Sequence, residues 1–251
     1  MELLRRDGYR PRALTQRISA TSLNGIDVLV LAQPGGPMPG PASPGMEGRR
    51  ASLDSGEIAT LTDWVDTGGA LLFVLDHAPA PALGASIAIA LGVKTWHNGY
   101  ANAQDFSVSK LRNGNVGRPL IFWQASLFPR DAPRLGPLDH LSDATGYQVP
   151  DAVLATHAVT AGRDPRERVA RVATFGGSAF IPPTGAITLL TMPEKATSGG
   201  TSVAGWAQGA ILERGKGRVG LFGEAGMFSG DPAADNPQFI LNLMHWLTRL
   251  L

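Results

Sequence analysis

The chain has no cysteine at all. That absence removes disulfides, thiolate metal sites and any cysteine nucleophile in one step. Charge of one sign is also missing: Lys+Arg 22 stands against Asp+Glu 21, a formal net charge of +1, without a basic cluster. Such a balance leaves no nucleic-acid or anionic-membrane footprint. No apolar run reaches the roughly 20 residues of a membrane span. The N-terminus, Met-Glu-Leu-Leu-Arg-Arg-Asp, carries no run of signal-peptide length, so a cytoplasmic protein is expected of the chain as given. The five tryptophans are scattered and make no stacking platform.

What is present suits a packed globule: 43% apolar and 17% charged residues over 251 positions. That length fits one large α/β domain or two small ones, and one is expected here, spanning 1–251. Residues 1–7 read as the end of an amphipathic helix closed by Gly8. A short polar strand is expected near 10–15, then Ile26-Asp-Val-Leu-Val-Leu-Ala32 as a strand buried on both faces. Residues 34–48, with five prolines, form a loop. Asp54 and Glu57 have the spacing of a capping box. The helix they start puts Ile58, Leu61, Trp64 and Val65 on one face and stops at Gly68-Gly69.

Gly69-Ala-Leu-Leu-Phe-Val-Leu75 reads as a second buried strand, running into Asp76-His77 and a small-residue helix over 81–91. Residues 93–205 read as an irregular insertion, with short strands and loops expected over 93–150 and a strand candidate at 168–175. Arg218-Val-Gly-Leu-Phe222 is a further strand and enters Gly-Glu-Ala-Gly-Met-Phe. A closing helix, with Asn236 as N-cap and Pro237 at N1, buries Ile240, Leu243, Met244 and Leu247. Strands alternating with helices argue a mostly parallel sheet covered on both faces. Ligands of such sheets sit outside the carboxyl ends of the strands.

Three strand-end segments carry a resemblance. Val28-Leu-Val-Leu-Ala-Gln-Pro-Gly-Gly36, Leu71-Leu-Phe-Val-Leu-Asp-His77 and Val219-Gly-Leu-Phe-Gly-Glu-Ala-Gly-Met-Phe228 stand in the order of the stations of class I glutamine amidotransferase-like domains. The chain also resembles the non-amidotransferase relatives with Asp-His-Ala-Pro and Gly-Glu-Ala turns. The resemblance implies a flavodoxin-like three-layer α/β sandwich, with a further strand expected ahead of the helix at Met1. A sheet edge left open by a missing strand implies a homodimer or a rearranged N-terminus. It also implies an oxyanion or ligand-binding turn at Gly35 and Gly36, and a functional position at Asp76 or His77. The family's cysteine and its His-Pro-Glu are absent here, so a thioester cannot form and the chain is not a glutaminase.

His77 could serve as general base for water, with N–H groups near Gly35 and Gly36 holding an oxyanion. Asp76, His77 and Glu224 could instead ligate a divalent metal. The bland alternative makes Asp76 a turn cap and His77 a structural donor. Glu224, between glycines, could orient His77 or cap the next turn. His157 precedes a Gly-Arg-Asp-Pro-Arg-Glu-Arg run and is more often structural, as are His97, His140 and His245. Ser178 and Ser229 follow strands and remain possible nucleophiles, though no Gly-x-Ser-x-Gly elbow occurs. Gly215-Lys-Gly-Arg-Val-Gly220 matches a dinucleotide fingerprint in letters but leads into a strand, so no nucleotide cofactor is expected. Two functions survive: a small-molecule hydrolase acting on an ester, lactone or amide, and a non-catalytic module that binds a small ligand or a protein partner.

Overall fold

A computed structural model describes residues 2–34, 53–102, 120–128, 147–228 and 234–251. Short helices α1 (Glu2–Arg6) and α2 (Ala20–Leu23) precede β1 (Val28–Ala32). Then follow α3 (Ser55–Asp66), β2 (Ala70–Val74), α4 (Ala80–Leu83) and α5 (Ala85–Ala90). The middle of the chain supplies β3 (Thr95–Trp96), β4 (Ala101–Asn102), β5 (Leu120–Gln124), β6 (Tyr147–Leu154), α6 (Ala158–Ala161) and β7 (Arg171–Thr174). It continues through β8 (Phe180–Ile181), β9 (Ile187–Thr191), β10 (Thr197–Ser198) and β11 (Thr201–Ser202). The hairpin β12 (Ala207–Arg214) and β13 (Gly217–Phe222) leads to α7 (Asn236–Leu247).

The main sheet runs β1-β2-β13-β12-β9-β6-β5-β7. Only β1–β2, β2–β13 and β5–β6 are parallel along this path. The pairs β13–β12, β12–β9, β9–β6 and β5–β7 are antiparallel. The expected flavodoxin-like, mostly parallel sandwich is therefore corrected to a mixed sheet. The physical reason is the connection between β12 and β13. Gly215 and Lys216 alone join them, and two residues can only turn a strand back beside its neighbour. The same turn explains the rejected dinucleotide letters. Residues 93–205 contribute β3 and β5 to β9 to this sheet, while β4, β10 and β11 form a separate three-stranded sheet.

The parallel corner β1-β2-β13 positions the candidate site. Its core divides across β2: Leu72 and Val74 pack with Phe222, Phe239 and Leu243, on the α7 side. Leu71, Phe73 and Leu75 pack with Leu61, Val65, Ile87 and Leu221, on the α3 and α5 side. β2 is buried at every position. α3 starts as its capping-box spacing requires, with Asp54 accepting from Glu57 N–H at 2.8 Å.

Four local expectations change. No strand forms over residues 10–15. β1 stands at the end of the sheet path and leaves Val30 half exposed, so it is not buried on both faces. The helix expected over 81–91 breaks into α4 and α5 at Gly84, whose Cβ, were there one, would sit 2.4 Å from Leu75 Cδ2. The N-cap of α7 is Asp235, not Asn236. Asn236 is fully buried and exchanges two 2.8 Å hydrogen bonds with the Ala173 backbone, tying α7 to β7. Among the described residues, no helix is long and apolar enough to cross a membrane.

Candidate functional site

The register between β2 and β13 pairs Val74 with Phe222, and Leu75 N–H donates to Phe222 O at 2.9 Å. Continuing two residues past each strand brings Asp76 beside Glu224. The Asp76 carboxylate accepts from His77 N–H at 2.7 Å through Oδ1 and from Ala225 N–H at 3.2 Å through Oδ2. Asp76 thus clamps the Glu224 turn to the end of β2.

Glu224 is 2% exposed. Its carboxylate accepts from Met227 N–H at 2.7 Å and from Gly226 N–H, and so caps the short 3-10 turn Gly226–Phe228. Burial pushes its pKa up to about 7, Asp76 adds to the rise, and backbone N–H groups of Met227, Gly226 and Phe175 oppose it. The cause is ordinary electrostatics: a carboxylate out of water beside a like charge favours its neutral form.

The His77 ring stacks on Tyr100 with centroids 4.1 Å apart and planes 22° from parallel. Its Nδ1 lies 2.9 Å from Ala78 O. A carbonyl only accepts, so Nδ1 holds the proton and, in the neutral ring, Nε2 keeps the lone pair. Tyr100 is 39% exposed, and burial followed by the Asp76 charge raises its hydroxyl pKa.

Ser178 is fully buried. Its Oγ accepts from Trp96 Nε1–H at 2.7 Å and donates to Leu75 O at 2.9 Å, while its N–H donates to Gly223 O. The residue ties the neighbours of Asp76 and Glu224 together, and its hydroxyl proton is committed to a carbonyl. Ser178→Ala removes the partner of the part-buried Trp96 indole N–H and of the buried Leu75 carbonyl. A loss of about 2 kcal/mol of stability is expected. Urea unfolding of the variant, compared with the parent, measures it.

Asp76, His77, Glu224 and Ser178 are therefore brought into one region. Among the described residues, no group of three or more His, Asp or Glu side chains is placed to hold a metal ion. His157 lies elsewhere. It caps α6, accepting from Val159 N–H at 3.1 Å through Nδ1, and meets the Trp246 ring edge-on. Burial lowers its pKa, followed by the charge of Arg218, which stands at the opposite end of β13 from Glu224. His245 is buried with Nε2 2.7 Å from Asp7 Oδ2, and His97 meets Trp206 edge-on. Gly35, Gly36, His140 and Ser229 lie outside the described residues.

Sequence reasoning missed Tyr100 and Trp96. Both fall in the stretch read as irregular, and nothing local marks them: Tyr100 matters through a ring 23 positions away. A cleft of about 560 Å³, lined by Tyr9, Asp27, Trp64, Gly69, Thr248 and Leu250 among others, opens at the amino ends of β1 and β2. It is at the far end of β2 from Asp76, and none of the candidate residues lines it.

No family model and no curated protein matches the chain. Solved structures do. The N-terminal domain of mmIFT52 aligns with a TM-score of 0.62 at 12% identity, covering 98% of this chain and 88% of that one. The cytoplasmic protein STM3548 from Salmonella typhimurium aligns with a TM-score of 0.53 at 13% identity, covering 98% and 84%. At these identities the likeness is one of fold.

Proposed function

We propose that the chain is a non-catalytic module that binds a small ligand at the carboxyl ends of β2 and β13. One observation carries this reading: the serine and the buried carboxylate that hydrolysis would draw on are engaged by the protein's own backbone. The Ser178 hydroxyl donates to Leu75 O, and the Glu224 carboxylate faces two turn N–H groups. What faces solvent is a recognition surface, made of the Tyr100 and His77 rings beside the half-buried Asp76. The parallel neighbours β1, β2 and β13 stand in the order of the stations of the class I glutamine amidotransferase-like domains, which supports kinship with that superfamily as part of the same proposal.

A second reading, hydrolysis of an ester, lactone or amide by an activated water, draws on a single observation. A carboxyl with a pKa of about 7 is matched to general acid–base work at neutral pH.

Assay of a chromogenic short-chain ester and a small lactone separates the two. The binding reading expects turnover no faster than buffer, with His77→Ala unchanged. Turnover that disappears in folded Glu224→Gln would replace it with the hydrolase.

A further inference from the structure

We infer that the ligand of this surface is an organic cation, an ammonium or guanidinium carried on a ring or short apolar body. The inference rests on the binding reading above and names the chemistry that reading leaves open. Its first support is one-sided hydrogen bonding. Asp76 accepts one backbone N–H on each oxygen, which leaves lone pairs for further donors. Among the described residues, no Lys or Arg side chain is paired with Asp76 or Glu224, although seven other acidic side chains are paired with an arginine.

A second and independent observation is Gln208, 1% exposed. Its Nε2 donates to Gly176 O at 2.6 Å, next to the Tyr100 ring, while its buried Oε1 has no partner among the described residues. Among the described residues, the region therefore has acceptors in excess and no Lys or Arg paired with them. The third support is the wall. An imidazole stacked on a phenol, with Tyr100 partly exposed, offers π surface next to a carboxylate. Cations are attracted to both, whereas an anion would be repelled by Asp76. The field of Asp76 is felt locally, since it raises the pKa of both Tyr100 and Glu224.

Benzylammonium, benzyl alcohol and benzoate share a ring and differ in charge. Each is titrated into the ¹⁵N-labelled full chain, and the amide resonances of His77, Tyr100 and Ala225 are followed. Benzylammonium is expected to shift them saturably, and benzoate is expected to leave them in place. Asp76→Asn should weaken the cation about tenfold or more, the effect of losing one charge-assisted hydrogen bond. Asn retains an acceptor oxygen, and Asp76→Glu, which keeps the charge, should recover part of the binding. Benzyl alcohol or benzoate binding as tightly as the cation, or Asp76→Asn binding unchanged, overturns the cation and leaves a ligand surface of other specificity. If none of the three moves these resonances, the cation proposal falls, and ester turnover in the same preparation then decides whether the binding reading falls with it.

Discussion

Gly177→Ala is expected to lower the thermal midpoint by about 10 °C, an effect of roughly 3–4 kcal/mol for a chain of this size. At Gly177 the backbone φ is +76°, and a Cβ would stand 2.2 Å from Gly223 O and 2.7 Å from Glu224 Cβ. The obstacle is another segment's backbone, so no flexible side chain can move aside. Gly223 mirrors it: a Cβ there would lie 2.1 Å from Ser178 O. The two segments touch main chain to main chain, joined by the Ser178 N–H to Gly223 O hydrogen bond. An added methyl must separate them, which pulls the Glu224 turn away from Ser178. Gly185→Ala is the control. Its φ is +86° with nothing within 4 Å, so only conformational strain applies, about 1 kcal/mol. Thermal unfolding of the two variants side by side checks the argument. A Gly177→Ala midpoint no lower than that of Gly185→Ala would mean that the close approach is not tight.

The elements legible from the sequence are those whose signals are local. The Asp54–Glu57 box sits at the start of α3, and the run of apolar residues over 70–74 is a strand buried throughout. Ile240, Leu243, Met244 and Leu247 are buried in α7 at helical spacing. Sheet direction was not legible, because β12 hides its nature. Its sequence, Ala-Gln-Gly-Ala-Ile-Leu-Glu-Arg, is rich in small residues, and Gly209 is required where the Phe222 ring lies 2.6 Å from its Cβ position. Packing against a neighbour, not β-propensity, selects those residues.

The site divides in the same way. Asp76, His77 and Glu224 could be singled out because strand ends position them. What their polar atoms do depends on distant partners. The Ser178 hydroxyl meets Trp96 and Leu75, 82 and 103 positions away, so it reads as a free nucleophile in the sequence and is a bound tie in the fold. Of the two readings left open for Glu224, the turn cap is the one its hydrogen bonds display, through Gly226 and Met227.

The burial of Glu224 makes stability depend on pH in an unusual direction. Most paired carboxylates have depressed pKa values in the folded state, so proteins lose their contribution in acid. Glu224 is the reverse case, with a folded pKa raised to about 7 against an ordinary 4.5. Between those values the folded chain holds a proton that the unfolded chain has released. Stability from this group is thus fully present below about pH 4.5, declines as pH rises and is gone above about 7. The whole change is about 3 kcal/mol, since each pH unit in that window contributes about 1.4 kcal/mol. Glu224→Gln removes the titrating proton and leaves one oxygen to accept from the turn. Its stability should be nearly flat over the same window, and its disadvantage against the parent should shrink or reverse by pH 8, where the parent carries two adjacent carboxylates. Urea unfolding of both proteins from pH 5 to 8 measures the difference curve, in which the other titrating groups cancel. A difference that does not change with pH would show that Glu224 is ionised throughout, and the second, hydrolytic reading would lose its only support with it.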